Sequence, residues 1–267
     1  MAAPGSPTIL IFDSGLGGLT VFREVIKARP DANYIYLADD ERFPYGDIRE
    51  ADLVERVLTV IGDAIARYKP DLIVVACNTA STLTLKELRN TFAVPFVGTV
   101  PAIKPACARS NSRRVSVLGT KATVSREYTH ALIREFAQGC EVTLVGSARF
   151  ASFAEAELNG APASDAEIAA EIAPCFVDSG GARTDTITLA CTHYPLLLDR
   201  LRALAPWPVD WIDPAPAIAR RVVELLGAGA SASAAAPQFV YTSGRAPSPT
   251  LSRALGRHGF AVATEKA

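Results

Sequence analysis

The sequence predicts an α/β protein made of two pseudo-symmetric α/β domains whose mostly parallel sheets face a central cleft. Three observations predict it. Short apolar segments alternate with longer amphipathic ones along most of the chain, the pattern of repeated βαβ units. One of these segments, Leu72-Ile73-Val74-Val75, is a continuous apolar run, as a parallel strand covered on both faces requires. A strand-end motif also recurs: residues 72–76 lead into Cys77-Asn78-Thr79, and residues 186–190 lead into Cys191-Thr192-His193.

The elements follow in order. Residues 8–13 read as a strand and 17–29 as a helix. A strand at 34–37 precedes a loop carrying Phe43-Pro44-Tyr45-Gly46. Between residues 48 and 68, Val54, Val57, Leu58, Ile61, Ile65 and Tyr68 recur at helical spacing, one stripe facing a core. Further strands are expected at 71–76, near Phe96, and at 115–117, 142–145, 187–189 and 209–212. A return strand falls near Phe239-Val240-Tyr241. The Ala/Gly/Ser-rich stretch 227–237 reads as a surface loop. Strand tips in small polar loops at Asp13-Ser14-Gly15 and Gly119-Thr120-Lys121 precede the two cysteine motifs by similar but unequal distances. The division that follows is residues 1–98 plus 210–267 for the first domain and 99–209 for the second.

Composition narrows the function classes. A chain of 267 residues suits two modest domains. Its 27 basic and 28 acidic side chains leave a net charge of -1, which argues against nucleic acid as the main partner. Five cysteines without dense spacing argue against a disulfide framework. The first residues show no basic segment followed by an apolar one, and no apolar run approaches the ~18 residues of a membrane span. A soluble, reduced, cytoplasmic protein that binds no membrane is expected.

The recurring cysteines carry the chemistry. A thiol at the carboxyl end of a strand, followed by Asn-Thr or Thr-His, has hydroxyl and amide donors around it. It also opens a helix, whose N-terminus stabilises thiolate. Either cysteine alone reads first as a buried, apolar residue; the repetition points instead to two reactive thiols facing one cleft. Cys107, Cys140 and Cys175 lack this context and read as core. His193 is placed to serve Cys191 as acid or base, the alternative being a helix cap. His130 and His258 read as structural. Metal is rejected: there is no Cys-x-x-Cys, and Cys191 with His193 supplies only two ligands. The segment Asp13-Ser14-Gly15-Leu16-Gly17-Gly18 has amides that would cradle an anion of carboxylate size, but it is no nucleotide motif. Asp13 would accept a proton from a substrate ammonium or poise a thiol, or else cap a helix. Tyr45 would cover a ligand, or else mark a turn.

These residues resemble the glutamate racemase family, within the wider group of cofactor-independent aspartate/glutamate racemases, over roughly residues 9–214. The resemblance rests on Asp13 to Gly18, Pro44-Tyr45-Gly46, Ala76-Cys77-Asn78-Thr79, Val100-Pro101-Ala102-Ile103-Lys104-Pro105 and Ala190-Cys191-Thr192-His193-Tyr194-Pro195. It implies interconversion of L- and D-glutamate without a cofactor, supplying D-glutamate for peptidoglycan, by a protein that is commonly a homodimer. By the same resemblance Cys77 serves the D-face and Cys191 the L-face, assisted by Asp13 and His193. Ser14, Tyr45, Gly46, Asn78, Thr79 and Thr192 match substrate-binding positions, and Thr120 and Thr123 a carboxylate-binding segment. The auxiliary glutamate falls at Glu155, with Glu157 two residues away. The family's Cys-Pro before it is absent; the chain reads Ser147-Ala148-Arg149-Phe150 there. With six lysines, none in a cleft-like motif, a pyridoxal-phosphate racemase is disfavoured. The rivals are an aspartate-specific sibling, and a protein that binds DNA gyrase, as some family members do.

Overall fold

The computed structural model describes residues 6–229 and 235–260, so the middle of the Ala/Gly/Ser-rich stretch and both chain ends lie outside the described residues. The strands are β1 (Thr8–Asp13), β2 (Asn33–Ala38), β3 (Leu72–Val75), β4 (Phe96–Gly98), β5 (Arg114–Thr120) and β6 (Glu141–Ser147). They continue with β7 (Asp178–Ser179), β8 (Ala182–Arg183), β9 (Thr186–Ala190), β10 (Asp210–Ile212) and β11 (Gln238–Tyr241). The helices are α1 (Leu19–Ala28), α2 (Glu50–Tyr68), α3 (Asn78–Thr91), α4 (Ile103–Arg109), α5 (Lys121–Ser125) and α6 (Glu127–Phe136). After them come α7 (Phe150–Leu158), α8 (Asp165–Ile172), α9 (Leu198–Leu204), α10 (Ala215–Leu226) and α11 (Pro249–Arg257).

Two parallel sheets form the frame, one in the order β11-β2-β1-β3-β4 and the other β10-β9-β5-β6. With β11 set aside, each takes its four strands in the same order, second, first, third, fourth. The fold is therefore one α/β topology used twice. In such a sheet the crevice opens between the first and third strands, at their carboxyl ends, where the strand order reverses. In the first sheet that point lies between Asp13, ending β1, and Cys77, following β3, strands paired through Phe12 and Val75. In the second it lies between Thr120, ending β5, and Cys191, following β9, strands paired through Gly119 and Ala190.

Packing explains the elements. Leu10, Phe12, Ile73 and Val75 face α2 and α3, while Ile9, Ile11, Leu72 and Val74 face α1 and α10, the alternation that a doubly covered sheet demands. The stripe of α2 is rotated slightly from its sequence reading: Leu53, Val57, Val60, Ile61 and Ala64 are buried, and Val54, Leu58, Ile65 and Tyr68 flank them. β10 pairs with β9, so residues 210–212 belong to the second sheet although the division read from the sequence gives them to the first domain. The β7–β8 hairpin, turned by Gly180 and Gly181 at φ 62° and 79°, left no signal in the apolar pattern because each strand is only two residues long. Among the described residues no helix is long and apolar enough to cross a membrane.

β11 completes the first sheet from the far end of the chain. Its Phe239 stacks on Tyr36 of β2, with ring centroids 5.4 Å apart. Replacing Phe239 with Ala is expected to destabilise the protein by about 3 kcal/mol, read as a lowered urea midpoint with an unchanged slope.

Candidate active site

Cys77 is the N-cap residue of α3 and is 5% exposed. Its Sγ donates to Ser14 Oγ at 3.6 Å. Asp13, fully buried on the neighbouring strand tip, accepts from Gly15 N at 3.0 Å through Oδ2 and from Thr192 Oγ1 at 3.1 Å through Oδ1. Asp13 is thus no cap for α1, whose N-cap is Gly18; it braces its own loop and reaches the tip of β9. Burial and the adjacent Asp13 carboxylate push the Cys77 thiol up to about 12, outweighing the Ala80 amide and the Ser14 hydroxyl. The helix terminus that reads from the sequence as favouring thiolate is overruled by desolvation.

Cys191 Sγ lies 3.8 Å from His193 Nδ1, and His193 Nε2 lies 2.9 Å from Glu155 Oε1. His193 caps nothing with its ring. Burial opposes its charge, yet the bonds to Cys191 and Glu155 and the Asp13 carboxylate hold its pKa well above the ordinary histidine value. Two carboxylates two positions apart point to different sides of a helix. Glu155 meets His193, while Glu157 meets Arg200 at 2.9 Å.

Glu155 Oε1 also accepts from Leu16 N at 2.6 Å. The anion held by the glycine-rich loop is therefore this side chain of the other unit. Two of its glycines face the other unit: a Cβ on Gly15 would stand 2.3 Å from Glu155 Oε1, and one on Gly17 would stand 2.4 Å from His193 Nδ1.

Three hydroxyls converge across the units. Thr79 Oγ1 lies 3.0 Å from Thr120 Oγ1 and 3.3 Å from Thr123 Oγ1, and Thr120 donates to Thr123 at 2.9 Å. Beside them the buried side-chain amide of Asn78 has neither its oxygen nor its nitrogen bonded, a rare condition for buried polar atoms. Tyr45 sits in a short turn and packs in the same cluster as Cys77. Its hydroxyl donates to Asp39 Oδ2 at 2.5 Å, and Asp39 is in turn gripped by Arg56 Nε at 2.9 Å and Thr242 Oγ1 at 2.6 Å. Gly46 lies against Thr120. Sequence reasoning missed Asp39, Arg56 and Thr242, which no local motif joins, and missed the contact of Phe43 with the His193 ring, 5.4 Å away. A separate cavity of about 610 Å³, lined by segments around 96–105 and 211–221, contains none of these residues.

A repeated α/β unit with a thiol at the same strand tip in each copy defines a class, and the comparisons agree. The model of the Asp/Glu/hydantoin racemases matches residues 17–222, and the chain belongs to that family and so to the isomerases. Its relatives are more particular. A glutamate racemase of Brucella ovis is 56% identical over 227 residues, 85% of this chain and 82% of that protein. The crystal structure of Escherichia coli glutamate racemase with L-glutamate and the activator UDP-MurNAc-ala has a TM-score of 0.86 at 42% identity, over 96% of each chain. That of Thermus thermophilus glutamate racemase with beta-chloro-D-alanine has a TM-score of 0.69 at 28% identity, over 96% of this chain and 93% of that one.

Replacing Glu155 with Gln is expected to lower the His193 pKa, read from its ring-proton NMR titration. A raised pKa adds stability that is complete below about 6.5 and is lost as pH rises through the raised value. The variant should therefore lose most stability, relative to the unaltered protein, below about pH 6.5.

Proposed function

We propose that the protein interconverts L- and D-glutamate without a cofactor, with Cys77 and Cys191 as the two bases on opposite faces of the α-carbon. The observation that carries this reading is the duplicated strand tip, a buried thiol in each unit with its own ionisable companion: Asp13 near Cys77 and His193 beside Cys191. One sulfur, as thiolate, takes the α-proton; the electron pair spreads into the carboxylate; the opposite thiol gives its proton to the other face. The two sulfurs end with exchanged protonation, and the reverse reaction restores them. Hydrogen-bond donors aimed at the carboxylate stabilise this developing charge, and Ser14, Asn78, Thr79, Thr120, Thr123 and Thr192 are the candidates, with the loop at Tyr45 and Gly46 closing over them. Glu155 orients His193. Glutamate is favoured over aspartate by the 56% identical relative's name. The reading includes a homodimer in the cytoplasm supplying D-glutamate for peptidoglycan, as the family resemblance implies. We take the two domains to exchange after Ile212, where β10 ends.

The test is racemisation in D2O with the Cys77→Ala and Cys191→Ala variants. Early in the reaction deuterium should enter the product and not the remaining substrate, and each variant should fold yet lose on the order of a thousandfold in rate. Full turnover by either variant overturns the two-base assignment, and activity on aspartate alone replaces the substrate. Because enantiomers have equal free energy, kcat/KM stays equal in both directions for any variant; Asp13→Asn and His193→Asn should instead divide the two values of kcat.

A second reading concerns the 610 Å³ cavity, which Arg89, Lys104, Arg109, Arg220 and Arg221 border. These cations suit a phosphate-bearing activator such as the one named with the Escherichia coli relative. Addition of UDP-MurNAc-ala should raise the rate of the unaltered protein, and less so that of Arg220→Ala; an unchanged rate rules it out.

A further inference from the structure

We propose that Arg126 is a positioning residue that sets the Cys77 side of the cleft, a role that rests on the racemase reading above. Arg126 immediately precedes α6 in the second unit, yet its buried side chain, 7% exposed, finds its partners in the first. Nη1 donates to the Thr79 carbonyl and, at 2.9 Å, to Thr82 Oγ1. Nε meets Glu50 Oε1 at 3.2 Å, at the start of α2. A buried guanidinium is costly unless its donors find partners, and here Nε and Nη1 find theirs only while the two units stand in this relation. The fork thus favours one spacing between them.

What it holds is the turn that carries the site. Thr79 lies two residues beyond Cys77, and Thr82 Oγ1 donates back to the Asn78 carbonyl at 2.9 Å, so one guanidinium steadies the peptides of both Asn78 and Thr79. At its other end Arg126 is tied to the threonine cluster. Its carbonyl accepts from Thr129 N at 3.0 Å, and Thr129 Oγ1 donates to the Thr123 carbonyl at 2.6 Å. The distance between the Thr79 and Thr123 hydroxyls is therefore set through Arg126. On the Cys191 side the units meet through Leu16 and Glu155 instead, a contact that Arg126 does not touch. Its loss should slow proton transfer at Cys77 and leave that at Cys191 in place.

The experiment compares Arg126→Ala and Arg126→Lys with a control, Arg134→Ala, which removes an exposed pair with Glu127 on the same helix. Steady-state rates are measured with both enantiomers, protonated and α-deuterated, alongside thermal unfolding. Arg126→Ala should lower kcat/KM by roughly ten- to a hundredfold, equally in both directions. The primary isotope effect on kcat/KM should rise for D-glutamate, whose proton Cys77 removes, and fall for L-glutamate. Lys, which lacks the planar fork, should fall between, and Arg134→Ala should match the unaltered protein. Unchanged kinetics for Arg126→Ala, or isotope effects moving together for both enantiomers, overturn the positioning role. An unaltered protein silent on glutamate overturns the racemase reading itself, before Arg126 is considered. Should Arg126→Ala not fold, Arg126→Lys and Thr82→Val carry the same comparison.

Discussion

One carboxylate oxygen joins the two halves of this molecule at the point where they must not drift apart. Glu155 Oε1 receives Leu16 N at 2.6 Å from one unit and lies 2.9 Å from His193 Nε2 in the other. Charge-assisted bonds of this kind are short and directional. Around this contact the choice of residues narrows: Gly15 and Gly17 have no room for a Cβ, and His193 is turned so that Nδ1 faces Cys191. The Asp13–Thr192 bond at 3.1 Å is a second crossing beside it.

Burial then decides the electrostatics. A thiol at a helix N-terminus is ordinarily easier to ionise, but Cys77 is enclosed and sits beside an acid, and its pKa moves the other way. His193 also holds its proton more tightly, but against its burial and not because of it, since its partners are acidic. The two sulfurs therefore sit in unlike electrostatic surroundings although their strands are topologically equivalent. Desolvation makes any charge formed between them costly unless a partner is already in place.

Much of this was legible in the sequence, for definite reasons. Parallel strands bury both faces, so Leu72 to Val75 announces itself as an apolar run, and the repeated cysteine motif marks the same strand position twice. Counting within the family resemblance reached Glu155 but left Glu157 as the alternative, and only the packing separates them, by turning Glu155 to His193 and Glu157 to Arg200. The glycine-rich loop was read correctly as an anion holder, but the identity of its anion was hidden, since residue 155 lies far from it along the chain. Arg126 and the Asp39–Arg56–Thr242 group were invisible for the same cause. Contacts between distant segments leave no periodic trace, and an arginine before a helix looks like a solvated charge until the packing encloses it.

The position of β11 bears on the order in which the protein comes into being. Residues 8–98 contribute four strands of the first sheet, but the edge beside β2 stays open until residues 238–241 have been made. Thr242, next along, completes the grip on Asp39 that fixes the Tyr45 hydroxyl. On the ribosome the second sheet, whose strands all lie between residues 114 and 212, is whole first, while the earlier-synthesised half waits for its final strand. The loop over the Cys77 side is thus finished only when nearly the entire chain is available, and a truncated product that stops before β11 carries both thiols without the complete frame that aims one of them.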